Sequence, residues 1–257
     1  MRKDAFFGLS LLCSLLILAF ILWPLGGMVL QTAPSSLLEA LRDGEVRSAI
    51  SLSLYGSFWA SALSFLFGTP LAYLLARREF RGRRFIESLI DLPIVIPHPV
   101  IGIALLSVMG QGSLLGELFS WVGVRIVGTK TGIVAVMAFV GAPFYINAAK
   151  NAFEMVPVRL ERVARTLGAS SLRTFLTVTF PLSLRSMLSG MLMCSARAIS
   201  EFGAVVVVAY HPMTAPVLIY ERFESFGLSY SRPVAVLLIT VSIVLFVTLR
   251  LMAGRRR

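Results

Sequence analysis

Long apolar runs alternate with short charged segments along this chain, and their length predicts helices that cross a membrane. Six runs are long enough: Ala5–Leu30, Leu52–Ala76, Ser88–Met109, Gly132–Ala149, Met187–Tyr210 and Val234–Met252. A hydrocarbon core about 30 Å thick takes roughly 20 apolar residues per helix. The runs are continuously apolar rather than alternating, which favours helices over the strands of a barrel. The expected fold is an all-α integral membrane protein, one domain over residues 1–257 built as a bundle of about six transmembrane helices.

Two runs break the pattern. The third, DLPIVIPHPVIG from Asp91 to Gly102, holds Pro93, Pro97, His98 and Pro99. Prolines free carbonyls and kink helices, so this segment is expected to lie against protein or line a cavity. The fifth carries Arg197 and Glu201, whose spacing on a helix puts them on one face where they can pair. Charges within a span belong in the bundle interior or along a water-filled path. Between the runs, Leu37, Leu38 and Leu41 suit a short surface helix, and an amphipathic piece falls around Leu114–Val122.

The segment 154–181 has a different character. Pro157 suits a first helical turn, and Leu160, Val163, Ala164 and Leu167 recur on one face while Arg159, Arg162 and Arg165 share another. Gly168 can end that helix in the left-handed conformation, and Ser170 or Ser171 can cap a second one carrying Leu172, Phe175 and Leu176. Pro181 is expected to end the unit. Such a charged helical hairpin between spans is suited to contact something outside the membrane.

Composition agrees: 57% hydrophobic residues and 14% charged, with a mean hydropathy of +0.84, exclude an ordinary soluble domain. If the N-terminus is cytoplasmic, 17 of the 24 basic residues fall on the cytoplasmic side, among them Arg77, Arg78, Arg81, Arg83 and Arg84 in one tight turn. The positive-inside rule then places both termini and the hairpin in the cytoplasm of a multi-pass cell-membrane protein. The net charge of +11 reads as topology and attraction to anionic lipid, not as nucleic-acid binding. The first run follows Met1-Arg2-Lys3 but lacks a clear cleavage pattern, so it is expected to remain as a helix. Cys13 and Cys194 lack metal-ligand spacing and are expected to be two buried thiols. No span carries residues arranged for catalysis, and no phosphate-binding Gly-x-x-x-x-Gly-Lys-Ser/Thr loop is present.

The hairpin resembles the cytoplasmic signature of ABC importer permeases, Glu-Ala-Ala, three residues, Gly, nine residues, then Ile-x-Leu-Pro. Gly168 matches the glycine, Val178-Thr179-Phe180-Pro181 the terminal tetrad, and Arg162-Val163-Ala164 the Glu-Ala-Ala positions, with the acidic residue one place early at Glu161. The stretches DLPIVIPHPVIG, ARTLGA (164–169), ISEFGAVVV (199–207) and PVLIYER (216–222) are similar to molybdate/tungstate permeases, the tungstate-type branch in particular. Sulfate permeases share the architecture, so import of sulfate or thiosulfate is the alternative within the class, and an ATP-independent transporter the alternative outside it.

The resemblance implies a permease that pairs with a second copy of itself, docks two ABC ATPase subunits, and receives an oxyanion from an extracellular or periplasmic binding protein. ATP and Mg would reside on the ATPase and no cofactor on this chain, which would itself be no enzyme. Glu161, Arg162, Arg165, Gly168, Ala169, Ser171, Leu172 and Phe175 fall in the coupling hairpin, with its second helix, about Ser171–Phe180, expected to seat in the ATPase. Arg197 and Glu201 are either a structural ion pair or part of the translocation path. Pro97, His98, Pro99 and Phe202 are path or gate candidates, although packing is the more economical explanation of a histidine beside two prolines and of an apolar Phe202.

Overall fold

A computed structural model describes residues 5–110, 112–121, 123 and 125–254. The described residues fold into helices joined by short turns: α1 (Ala5–Leu30), α2 (Pro34–Arg42), α3 (Gly44–Arg77), α4 (Arg83–Val95), α5 (His98–Met109), α6 (Leu114–Trp121), α7 (Lys130–Met155), α8 (Val158–Thr166), α9 (Ser171–Thr174), a π-helical turn (Phe175–Thr179), α10 (Phe180–Ile199), α11 (Gly203–Val208), α12 (Ala215–Phe226) and α13 (Leu228–Gly254). Among the described residues, five uninterrupted helical stretches are long and apolar enough to cross a membrane, and α4 with α5 makes a sixth if the bent pair counts as one span. The expected surface helix corresponds to α2 and the amphipathic piece to α6.

Local chemistry sets the element ends. Asp43 caps α3 by accepting from the Glu45 N–H at 2.8 Å, and Thr129 caps α7 through the Gly132 N–H at 3.2 Å; each satisfies a donor that a helix start leaves open. The third run is not one straight helix. It bends by 112° between α4 and α5, because Pro97 biases Ile96 away from helix and Pro97 and Pro99 remove two donors. Ile96 is accordingly extended, with φ −71° and ψ 134°.

The fifth run also departs from the expected Met187–Tyr210. The continuous helical stretch is Ser171–Ile199, and the chain then breaks at Ser200–Phe202 before α11. Arg173 and Arg185 lower the hydropathy at the front of this helix, which displaces the apolar window toward its far end.

α3, α7 and α10 form the centre of the bundle. At the hairpin end Leu75, Tyr145, Phe153 and Met187 make one buried cluster, while Ile133, Met137, Val140 and Val205 make another further along. A third cluster, with Val46, Leu218 and Val234, closes the opposite end. Small residues permit this close approach: a Cβ at Gly190 would lie 2.7 Å from the Ala148 Cβ, and one at Gly68 2.9 Å from Ile146. Hydroxyls then bond across the helices, Ser61 to the Met191 carbonyl at 3.2 Å and Thr69 with Tyr145 at 2.6 Å, as in other tightly packed membrane helices.

α1 stands apart, with none of its apolar window buried against the rest of the chain. Cys13, expected to be buried, is therefore exposed, whereas Cys194 is buried.

Candidate functional site

The hairpin is built from α8, the glycine turn and the start of the following helix. α8 ends in a Schellman motif. Gly168 has φ 88°, its N–H donates to the Arg165 carbonyl at 3.0 Å, and the Ala169 N–H donates to the Ala164 carbonyl at 3.0 Å. Ser170 then caps the next helix by accepting from the Arg173 N–H at 3.3 Å. Both the left-handed glycine and the serine cap were legible in the sequence.

The second arm differs from the expected short helix ended by Pro181. Helical backbone continues from Ser171 through the π turn into α10, and Pro181 lies within it. The Phe180 N–H reaches five residues back to the Phe175 carbonyl. This wider turn precedes the proline, which sits in the first turn of α10, where a missing N–H is tolerated. The stretch 171–180 is thus the root of a membrane-spanning helix, and α8 is the discrete short helix of the unit.

α8 is oriented by its one acid. Glu161 is 5% exposed; its Oε1 accepts from Arg77 Nε at 2.8 Å and from the Thr179 hydroxyl at 2.7 Å. Arg77 also donates through Nη2 to the Val156 carbonyl at 2.9 Å. One carboxylate therefore ties α8 to the end of α3 and to the π turn. Turning Glu161 inward turns the apolar face outward: Val163 is 50% exposed and Leu167 83%. Arg162, Arg165, Gly168, Ser171 and Leu172 are exposed as well, and Ala169 partly so. Phe175 is different, its ring packing against Tyr73 with centroids 4.9 Å apart and against Phe153 at 5.9 Å.

A second group of charges gathers where the two broken runs meet. Arg197 Nη2 donates to Glu201 Oε2 at 2.8 Å and touches His98 Nε2, which lies 3.6 Å from the same carboxylate oxygen. The pairing expected from their spacing is present, but Glu201 lies beyond the end of α10, not on it. Its other oxygen, Oε1, accepts from the Ala204 N–H at 2.9 Å, helping to start α11. The carboxylate is buried, with Arg197 and His98 progressively more open. Pro97 and Pro99 flank His98 at the bend, and the Phe202 ring packs against Tyr220 at a tilt, with centroids 4.9 Å apart. α5 and α11 touch closely, since a Cβ at Gly102 would lie 2.9 Å from the Ala204 carbonyl and one at Gly203 2.8 Å from the His98 Cβ.

The opposite end has its own ion cluster. Arg222 on α12 donates to Asp43 at 2.5 Å and Glu45 at 3.1 Å. The Arg222 hydrogen bond, aided by the Glu45 amide, holds the Asp43 carboxyl below its ordinary value despite partial burial.

Sequence reasoning missed Arg77 and Thr179 as partners of Glu161, Gly203 as a contact point, and Tyr220 as the partner of Phe202. Arg77 registered only as one more positive charge in a basic turn. The signal available for Gly203 was its place beside Glu201 in an otherwise bulky run.

Comparison with known proteins accords with this geometry. The family model for the binding-protein-dependent transport system inner membrane component matches residues 68–256. The molybdate/tungstate transport system permease protein of Pyrococcus furiosus is 46% identical over 245 residues, covering 94% of this chain and 92% of that protein. A probable sulfate transport system permease protein of Chlorokybus atmophyticus is 32% identical over 202 residues, covering 77% and 71%. Among solved structures, a bacterial alginate ABC transporter in complex with an alginate pentasaccharide-bound periplasmic protein superposes with a TM-score of 0.77 at 14% identity, covering 99% of this chain and 95% of that one.

Proposed function

Because the chain belongs to the family of inner-membrane components of binding-protein-dependent transport systems, we propose that it is the permease subunit of an ATP-driven importer for molybdate or tungstate. The substrate reading rests on relatives: those named for molybdate/tungstate are 42–46% identical, those named for sulfate 28–32%. The observation that carries the coupling role is α8, a short helix fixed by a buried carboxylate from within and presenting Leu160, Val163 and Leu167 outward. Exposed apolar surface rimmed by charge is characteristic of a docking site.

In this reading the chain pairs with a second copy, both termini and the hairpin are cytoplasmic, and two ATPase subunits that hold ATP and Mg dock beneath. α8 seats in the ATPase, with Arg162 and Arg165 setting its electrostatic fit. The Glu161–Arg77–Thr179 junction transmits movement of α8 to α3 and α10, and the spans rock between inward-facing and outward-facing states. Gly168 and Ala169 fix the turn, Ser171 and Leu172 border the docking face, and Phe175 anchors the hairpin in the bundle.

The Arg197–Glu201–His98 cluster lies at the meeting of two helix breaks, with Pro97, Pro99 and Phe202 around it. There Arg197 attracts the oxyanion while Glu201 limits how tightly it is held, so that the anion can leave. A binding protein delivers the substrate from outside. Calorimetry on the binding protein that delivers substrate to this permease, titrated with tungstate, molybdate and sulfate, tests the substrate: tight binding of the first two is expected, and a preference for sulfate refutes the reading.

A further inference from the structure

A groove of about 870 Å³ opens between α3, α8 and the root of α10. Its walls are mostly apolar, including Phe65, Leu66, Pro70 and Leu74, with Thr69 and the Arg77-paired Glu161 among them, while Arg78, Arg162 and Arg165 stand at one end. Among the described residues these three arginines make no ion pair, whereas Arg77 is occupied by Glu161. Leu66 and Leu74 are 62% and 45% exposed, so the groove faces away from the bundle core.

We propose that this groove binds an anionic phospholipid from the cytoplasmic leaflet, with its phosphate at Arg78 and an acyl chain along α3, while Arg162 and Arg165 meet the ATPase as in the proposed function. The inference rests on the topology in the proposed function, which puts Arg78 at the cytoplasmic surface. Length and charge identify the occupant. From Phe65 to Arg77 the groove follows 13 residues of α3, roughly 20 Å at about 1.5 Å per residue, enough for a headgroup plus one leaflet's share, about 15 Å, of a hydrocarbon core about 30 Å thick. A soluble ATPase reaches the arginine end but not the depth of Phe65. The first helix of a second copy reaches that depth, yet its leading segment carries Arg2 and Lys3 against a single Asp4 and does not complement a cationic rim. A phosphate headgroup on a hydrocarbon chain satisfies both ends, and basic recesses between cytoplasmic helix ends suit such headgroups.

The test is native mass spectrometry of the permease–ATPase complex released from nanodiscs of mixed phosphatidylglycerol and phosphatidylcholine with identical acyl chains. Retained phosphatidylglycerol is expected in excess over phosphatidylcholine. Arg78→Gln should lower that excess about fivefold, the effect of one basic residue near a charged membrane surface. Leu66→Trp should reduce retention of both lipids, and Arg159→Gln, outside the groove, should change neither. Equal retention of the two lipids, an unchanged excess in Arg78→Gln, or unchanged retention of both lipids in Leu66→Trp overturns the proposal. Displacement of phosphatidylglycerol by millimolar inorganic phosphate with no effect of Leu66→Trp shows an anion site without a lipid chain and also overturns it. A disulfide between Leu66→Cys and the native Cys13 of a second copy shows a protein occupant and refutes it. Labelling of Arg78→Cys by impermeant reagents from each side separates the two levels: outside labelling sinks the topology, whereas inside labelling without lipid preference sinks only this inference.

Discussion

Replacing Glu161 with Ala tests whether one carboxylate holds the hairpin to the bundle. Arg77 and Glu161 are nearly buried, with side-chain exposures of 9% and 6%, and removing one member of a buried pair costs about 3–5 kcal/mol because the other charge is left uncompensated. Arg77 keeps the Val156 carbonyl at 2.9 Å, which puts the cost near the lower bound, roughly 3 kcal/mol. At about 1.36 kcal/mol per decade, α8 should open on the order of 10²-fold more often. Hydrogen exchange resolved to residues 158–169 reads that opening directly. Glu161→Gln retains an acceptor for the Thr179 hydroxyl and a neutral one for Arg77, and should raise exchange about tenfold, in line with roughly 1.5 kcal/mol for a lost charge-assisted hydrogen bond. The double variant Arg77→Met/Glu161→Met removes both charges and should return close to the parent. An increase below about threefold in Glu161→Ala, or simple additivity in the double variant, refutes the junction as the hairpin's anchor.

Gly168→Val places a branched side chain at φ 88°, where no neighbour lies within 4 Å of a new Cβ; the cost is conformational, about 1–2 kcal/mol, and stimulation of the ATPase by loaded binding protein should fall while Gly168→Asn keeps most of it. Unchanged stimulation in the valine variant would speak against a fixed α8. For the charge cluster, Arg197→Glu/Glu201→Arg should recover expression and thermal stability relative to either single variant yet remain defective in uptake if Arg197 meets the substrate; full recovery of uptake would reduce the pair to a structural role. Asp43 has a depressed folded-state pKa, so its contribution is complete above the unfolded value of about 3.9 and is lost as pH falls through the lower folded value. Protection of α12 amides, corrected for the intrinsic pH dependence of exchange, should accordingly stay constant from neutral pH to about pH 5 and fall below about pH 4, and Asp43→Asn should abolish that fall; a transition near neutrality would contradict the assignment.

The membrane class and the helical hairpin could be read from sequence because they depend on local patterns: unbroken apolar runs, a glycine after a periodic segment, a serine cap. The bend at Pro97 was foreshadowed by three prolines, though not its angle. What escaped depends on contacts distant in the chain. Glu161 looked like a displaced member of a surface motif, and only the approach of Arg77, 84 residues earlier, shows why an acid there faces inward. Pro181 looked like a stop because a regular α-helix rejects proline, and the π turn before it removes that conflict. The spacing of Glu201 to Arg197 suggests one helix, but α10 ends at Ile199 and the carboxylate bridges the break, meeting Arg197 with one oxygen and the Ala204 amide with the other.

The central claim, ATP-driven import of molybdate or tungstate through this chain, is tested most directly by uptake into vesicles containing the permease and its ATPase, with the binding protein supplied on the outer face. Accumulation of molybdate or tungstate that requires both ATP and the binding protein is expected, with sulfate a poor competitor. Uptake that persists without ATP, or sulfate carried in preference, would contradict the claim.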